Sequence, residues 1–104
     1  MEPMHLNDVI KAVRGELVQG GSNREISGVS IDSRAIEPGD LFFAFPGESV
    51  DGHDFLEQVF EHGAAAAVIS HPVNFQNRAA LIMVADPLTA LQDLAYYYRR
   101  LYSI

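Results

Sequence analysis

No cysteine occurs in the 104 residues of this chain. A disulfide framework and a thiolate metal site are therefore excluded. Basic residues are also scarce, with 7 Lys and Arg against 14 Asp and Glu and a net charge of −7. Nucleic-acid binders carry a basic stripe that neutralises phosphates, and the only adjacent basic pair here is Arg99-Arg100. This balance speaks against nucleic acid and anionic membranes as broad partners. It leaves room for a small anion held by backbone N–H groups and one arginine. No window reaches the ~18 apolar residues of a membrane span. The N-terminal run MEPMHLNDVIKAVRG lacks the long apolar core of a signal peptide. The expectation is a soluble, cytoplasmic domain.

The usual catalytic signatures are missing as well. There is no G-x-x-x-x-G-K-[ST] loop and no G-x-G-x-x-G turn, so neither common phosphate cradle is present. No H-E-x-x-H pair occurs. His53 and His62 fall near opposite ends of a predicted helix, which is poor geometry for sharing one ion, so no metal site is expected. Ser, His and Asp are present without a nucleophile elbow to order them.

What is there is a good core. Hydrophobic residues make up 48% of the chain, and a domain this size hides roughly two-thirds of its unfolded surface. One domain over residues 1–104 is expected. Leu6, Val9, Ile10 and Val13 have the i, i+3, i+4, i+7 spacing of an amphipathic helix, with Gly15 placed to cap it. Residues 16–18 read as a short strand. Ile26, Val29 and Ile31 read as one strand ending near Asp32, with Gly28 at a bulge. Glu37-Pro38-Gly39-Asp40 is a turn, and the apolar run from Leu41 to Phe45 is a strand buried on both faces. A helix from Asp54 to His62 and a strand from Ala65 to Ser70 complete a β-α-β unit. A short apolar strand follows at Leu81 to Ala85. Asp86-Pro87 then opens a closing helix with Leu88, Leu91, Leu94, Ala95, Tyr98 and Leu101 as its inner stripe. The fold class is α/β, a small mixed sheet of about four to five strands with helices packed against it.

Polar residues crowd around the strand at Leu41 to Phe45. Asp32, Ser33 and Arg34 lie where one strand ends, and ligands of open α/β sheets sit outside the carboxyl ends of strands. Ser33 offers a compact donor and acceptor, and Arg34 a planar cationic fork. Gly47 to Gly52 forms a second loop, whose glycines would allow close backbone approach to a ligand. Simple turn chemistry competes with this reading at every position. Asp32 can cap its own turn, Ser33 can satisfy a local N–H, and Asp51 can form a turn. His53 or Asp54 can cap the helix, and Glu48 can be merely solvated.

The ordered runs DSRAIEPGDLFFA, GESVDGHDF and GAAAAV resemble the N-terminal domain of the Mur ligases, ATP-dependent amide ligases that build the peptidoglycan stem peptide. The resemblance covers most of the chain. It implies a domain that grips the uridine diphosphate end of a UDP-N-acetylmuramoyl-peptide. Ile31 and Ser33 match strand-end positions that contact the nucleotide, and Glu48, Ser49 and Val50 match the loop that closes on it. Asp32, Arg34, Gly47, Asp51, Gly52 and His53 would support these positions. Position 50 departs from the commoner pattern, which has a bulkier residue there. Of the two members sharing this domain type, the Gly47-Glu48 pair, the Gly-His-Asp-Phe run and the Tyr-Tyr-Arg-Arg tail look more like the D-alanyl-D-alanine-adding enzyme. The diaminopimelate- or lysine-adding enzyme is the alternative.

The resemblance further implies a piece of a longer ligase, without its central ATPase and C-terminal domains. ATP and Mg would serve that parent enzyme, and this segment alone would hold no cofactor and be non-catalytic. Tyr96, Tyr97 and Tyr102 would then have faced the ATPase domain, so the isolated segment is expected to self-associate. A reading of another class is a stand-alone interaction or regulatory module that uses the same tyrosine-rich helix.

Overall fold

Leu41, Phe42 and Phe43 are sealed from solvent because the strand that carries them is flanked by strands and covered on both faces. The computed structural model describes residues 1–47, 49–75 and 79–102. Its elements run β1 (Met4–His5), α1 (Leu6–Val13), β2 (Glu16–Gln19), β3 (Glu25–Ile26), β4 (Gly28–Ser30) and β5 (Asp40–Phe43). A 3-10 turn (Gly52–Phe55), α2 (Leu56–Glu61), β6 (Ala66–Ile69), β7 (Ala80–Met83) and α3 (Pro87–Tyr102) follow. Five strands form one sheet in the order β2-β7-β6-β5-β4. The strands β4 to β7 are parallel, and β2 runs antiparallel to β7. The architecture is the α/β fold with a mixed sheet that the hydrophobic pattern predicts.

Period-2 alternation divides the core into two layers. Leu41, Phe43, Ala66, Val68, Ala80 and Ile82 pack with Leu6, Val9 and Val13 of α1 and Ala90 and Leu94 of α3. Phe42, Ala67, Ile69 and Leu81 point the other way, onto Leu56 and Val59 of α2. The helix α2 is thus the crossover between parallel β5 and β6, and its side of the sheet stays open at the edge strand β4. The turn before β5 forms as expected: Asp40 N donates to the Glu37 carbonyl at 3.1 Å, and Gly39 takes φ +88. Asp40, nearly buried, accepts from Glu37 N at 2.9 Å through its carboxylate.

Three expectations need correction. The segment 25–31 is not one strand. Its first part, β3, pairs with β1 in a separate two-stranded ribbon, and the chain then changes sheets at Ser27 to enter β4. The helix α1 is capped by Arg14 at φ 57, not by Gly15. Gly15 lies so close to the Ile82 side chain that a Cβ would collide with it, so the close packing claims the glycine and the arginine takes the left-handed turn. Finally, α3 buries Pro87, Ala90 and Leu94 with Leu91, Tyr97 and Tyr98 alongside, while Leu88, Ala95 and Leu101 are exposed.

Candidate functional site

The carboxyl ends of β4 and β5 open into a cleft of about 790 Å³. That volume is ample for a nucleotide-sized ligand, since small-molecule pockets span roughly 300–1,000 Å³. One wall is the segment after β4, with Ile31, Asp32, Ser33 and Arg34. The opposite wall is Val50 and Gly52, and the floor and far side are Phe42, Phe45, Phe55 and Gln58.

Hydrogen bonds hold the first wall. The Ser30 hydroxyl accepts from Asp32 N at 3.2 Å, and Asp32 Oδ1 accepts from Arg34 N at 2.9 Å. Ala35 N closes the turn on the Asp32 carbonyl at 3.1 Å. Asp32 is therefore the turn-former, and its carboxyl is held below the usual carboxylate range, chiefly by the Arg34 backbone N–H and then by the Arg34 side chain. The Arg34 Nε–Asp32 Oδ1 pair, at 3.2 Å, is exposed and screened by solvent, so Arg34 can leave it cheaply. Ser33 is fixed through its carbonyl, which accepts weakly from Gln58 Nε2 at 3.4 Å. Its hydroxyl has no partner among the described residues.

The second wall is tied down from behind. Gly52 N donates to the Phe45 carbonyl at 2.9 Å. A Cβ on Gly47 would strike the Val50 carbonyl, and one on Gly52 would stand 2.9 Å from Phe45 N. The glycines thus let this loop fold on itself. Asp51 caps the 3-10 turn, its Oδ1 accepting from His53 N at 2.9 Å, so neither His53 nor Asp54 is the cap.

Asp51 also accepts from two histidine rings, His53 Nδ1 at 2.6 Å and His71 Nε2 at 3.0 Å. The rings stack with centroids 3.6 Å apart. His53 is buried, and its Nε2 accepts from Ser70 N at 3.0 Å. Burial pushes the Asp51 carboxyl up, but the His53 backbone and ring N–H groups and then His71 outweigh it and bring the value down to about 2.

Asp51, His53 and His71 bring three donor atoms within 4.8 Å of one another, as a metal site would need. The donor chemistry does not fit an ion. A histidine bound through Nδ1 keeps its proton on Nε2 and donates from there, yet His53 Nε2 faces a backbone N–H.

Of the positions expected in a site, the structure gathers Ile31, Asp32, Ser33, Arg34, Val50 and Gly52 in one cleft. Glu48 lies outside the described residues. Ser49 and Gly47 are exposed in the loop without lining the cleft, and Asp51 and His53 face away from it into the histidine pair.

A profile described as "Mur ligase family, catalytic domain" matches residues 25–99. The chain belongs to the Mur ligase family. It is 41% identical over 103 residues to a UDP-N-acetylmuramoyl-L-alanyl-D-glutamate–2,6-diaminopimelate ligase of Syntrophomonas wolfei, an alignment covering 97% of this chain and 21% of that protein. It is 39% identical to a UDP-N-acetylmuramoyl-tripeptide–D-alanyl-D-alanine ligase of Treponema pallidum, over 91% of this chain and 23% of the relative. A crystal structure of MurF from Acinetobacter baumannii superposes with a TM-score of 0.84 at 32% identity, over 99% of this chain and 22% of that one. The chain thus spans about a fifth of the length of these Mur ligases. The two ligase activities divide among relatives of nearly equal identity.

Sequence reasoning missed Phe42, Phe45 and Phe55 as cleft residues because their apolar periodicity reads as core, and nothing local set Gln58 apart from an ordinary polar helix residue. It also missed His71, which belongs to a polar connection and meets Asp51 only across the fold. Among the described residues no helix is long and apolar enough to cross a membrane.

Proposed function

We propose that this chain is the substrate-anchoring domain of a cytoplasmic peptidoglycan-precursor ligase, and that its strand-end cleft holds the uridine diphosphate end of a UDP-N-acetylmuramoyl-peptide. The observation that carries this reading is a Ser33 hydroxyl with no partner among the described residues, in a cleft with aromatic lining and beside an arginine whose side chain makes an exposed ion pair. The flat pyrimidine suits the half-buried Phe45 and Phe55 surfaces. Ser33 supplies a hydrogen bond, and Arg34 turns from Asp32 to the diphosphate, where a charge-assisted bond is stronger.

The segment's contribution is positioning. Binding at the nucleotide end orients a reacting carboxylate far away, and that remote binding energy lowers the barrier without any group here touching the reaction. The chain carries no G-x-x-x-x-G-K-[ST] loop, so its residues do not fit the phosphates of ATP, and ATP with Mg belongs to the remainder of the parent enzyme. We assign the parent to the D-alanyl-D-alanine-adding branch, supported by the MurF structure that matches 99% of this chain. The diaminopimelate-adding branch is the second reading, favoured by the Syntrophomonas wolfei relative.

Titration of the 104-residue chain with UDP, followed by amide chemical shifts, tests the cleft. Saturable shifts at Ile31 to Arg34 and at Val50 and Gly52 are expected. If those amides stay in place at roughly millimolar UDP, a weak affinity by any measure, the assignment is wrong.

A further inference from the structure

We propose that His71 in its doubly protonated form is a latch that positions the Val50–Gly52 wall of the cleft, so that protonation of a residue outside the cleft tunes its affinity. This inference rests on the cleft being the ligand site.

The hydrogen-bond partners assign the protons. His53 Nε2 accepts from Ser70 N at 3.0 Å, so the ring carries its proton on Nδ1 and donates it to Asp51 at 2.6 Å. His71 differs. Its Nε2 faces Asp51 Oδ2 at 3.0 Å and its Nδ1 faces the Pro72 carbonyl at 3.1 Å. Both partners are acceptors only, so both contacts are hydrogen bonds only when the ring is an imidazolium. A neutral ring would set a lone pair against one of these oxygens.

The cation thus closes a bridge. Asp51 lies between Val50 and Gly52, which line the cleft, while its carboxylate points to the far side of the loop. There it joins His71 and, through His53, the Ser70 backbone just beyond β6. The loop after β5 is fastened to the end of the neighbouring strand. The titratable groups around His71 are Asp51, Asp54 and the stacked His53 ring.

The pH window follows. The Pro72 carbonyl and then Asp51 raise His71 above its ordinary 6.5, against a small opposing effect of burial, with the Asp51 and Asp54 charges adding to the rise. The latch is therefore complete below about 6.5, and as pH rises through the raised value the neutral ring keeps only one of its two contacts. Asp51, at about 2, is ionised throughout that range and would release the bridge only in strong acid.

The test uses the whole chain and its His71→Gln variant, which removes the titration at a half-exposed ring and leaves a side chain able to donate to Asp51. Without ligand, the Val50 and Gly52 amide shifts of the wild type should follow the His71 ring protonation curve, and the variant should show no such step. With UDP, wild-type affinity should fall roughly fivefold more than that of His71→Gln between about pH 6 and pH 8.5, the variant serving to subtract titration of the diphosphate itself. By reciprocity, saturating UDP should raise the His71 midpoint by the same factor.

Amides at Val50 and Gly52 that ignore His71 ionisation would overturn the latch even if UDP binds. Coupled amides in a chain that UDP never shifts would uphold the latch and overturn the cleft assignment instead. Stoichiometric Zn²⁺ binding that moves both histidine rings at micromolar metal would replace the latch with a metal centre.

Discussion

Ser33 shows what a single residue can and cannot reveal before folding. Its neighbours Asp32 and Arg34 satisfy each other within the turn, as simple turn chemistry anticipates. The serine hydroxyl has no partner among the described residues, and Ser33 lines the cleft. Ser33→Ala should therefore weaken UDP binding about two- to tenfold, the value of a neutral hydrogen bond, with thermal stability unchanged. Calorimetric titration paired with a melting curve checks both halves of that expectation. The Asp51–His71 contact was illegible for a different reason. Nothing local in the segment 70–72 marks a binding partner, and the two residues meet only because parallel β5 and β6 bring their carboxyl ends side by side. Local patterns encode turns; only the register of the sheet encodes this pair.

At the scale of elements, strands and helices were legible wherever one periodicity dominated. Leu41 to Phe43 and Ala66 to Ile69 read as buried strands and are. The failures sit where tertiary packing chooses among equally good local options. The break at Ser27 divides a plausible strand between two sheets, because Ile26 is needed in the layer under α1 and α3 while β4 must pair with β5. The face of α3 shifts in the same way. Its apolar residues surround the axis, and the contact with α1 selects Ala90 and Leu94. Leu94, 3% exposed, is the large aliphatic side chain that α3 buries most deeply. Leu94→Ala should cost about 2–5 kcal/mol, read by chemical denaturation, whereas Leu88→Ala, at an exposed site, should fall within about 0.5 kcal/mol of wild type.

For the molecule as a whole, the apolar surface left over on α3 has consequences. Leu88, Ala95 and Tyr102, each seven residues from the next, share one exposed face. Beside it lies a groove of about 290 Å³ lined by Met1, Met4, Val29, Leu91, Leu94, Ala95, Tyr98 and the Arg99 stem. Such a surface favours association, while the net charge of −7 opposes it. Sedimentation velocity should show concentration-dependent self-association that strengthens with added salt, as the mutual repulsion is screened. A monomer at all salt concentrations would refute this.

The placement of β2 has one more consequence. Leu17 pairs with Ile82 and Glu16 with Met83, and α1 packs on α3, so the first elements of the chain find their partners among the last. Contacts of such long sequence separation delay folding. During synthesis the amphipathic α1 would emerge from the ribosome with its apolar face uncovered and stay so until α3 had cleared the exit tunnel. Completion of this domain therefore waits on the synthesis of α3.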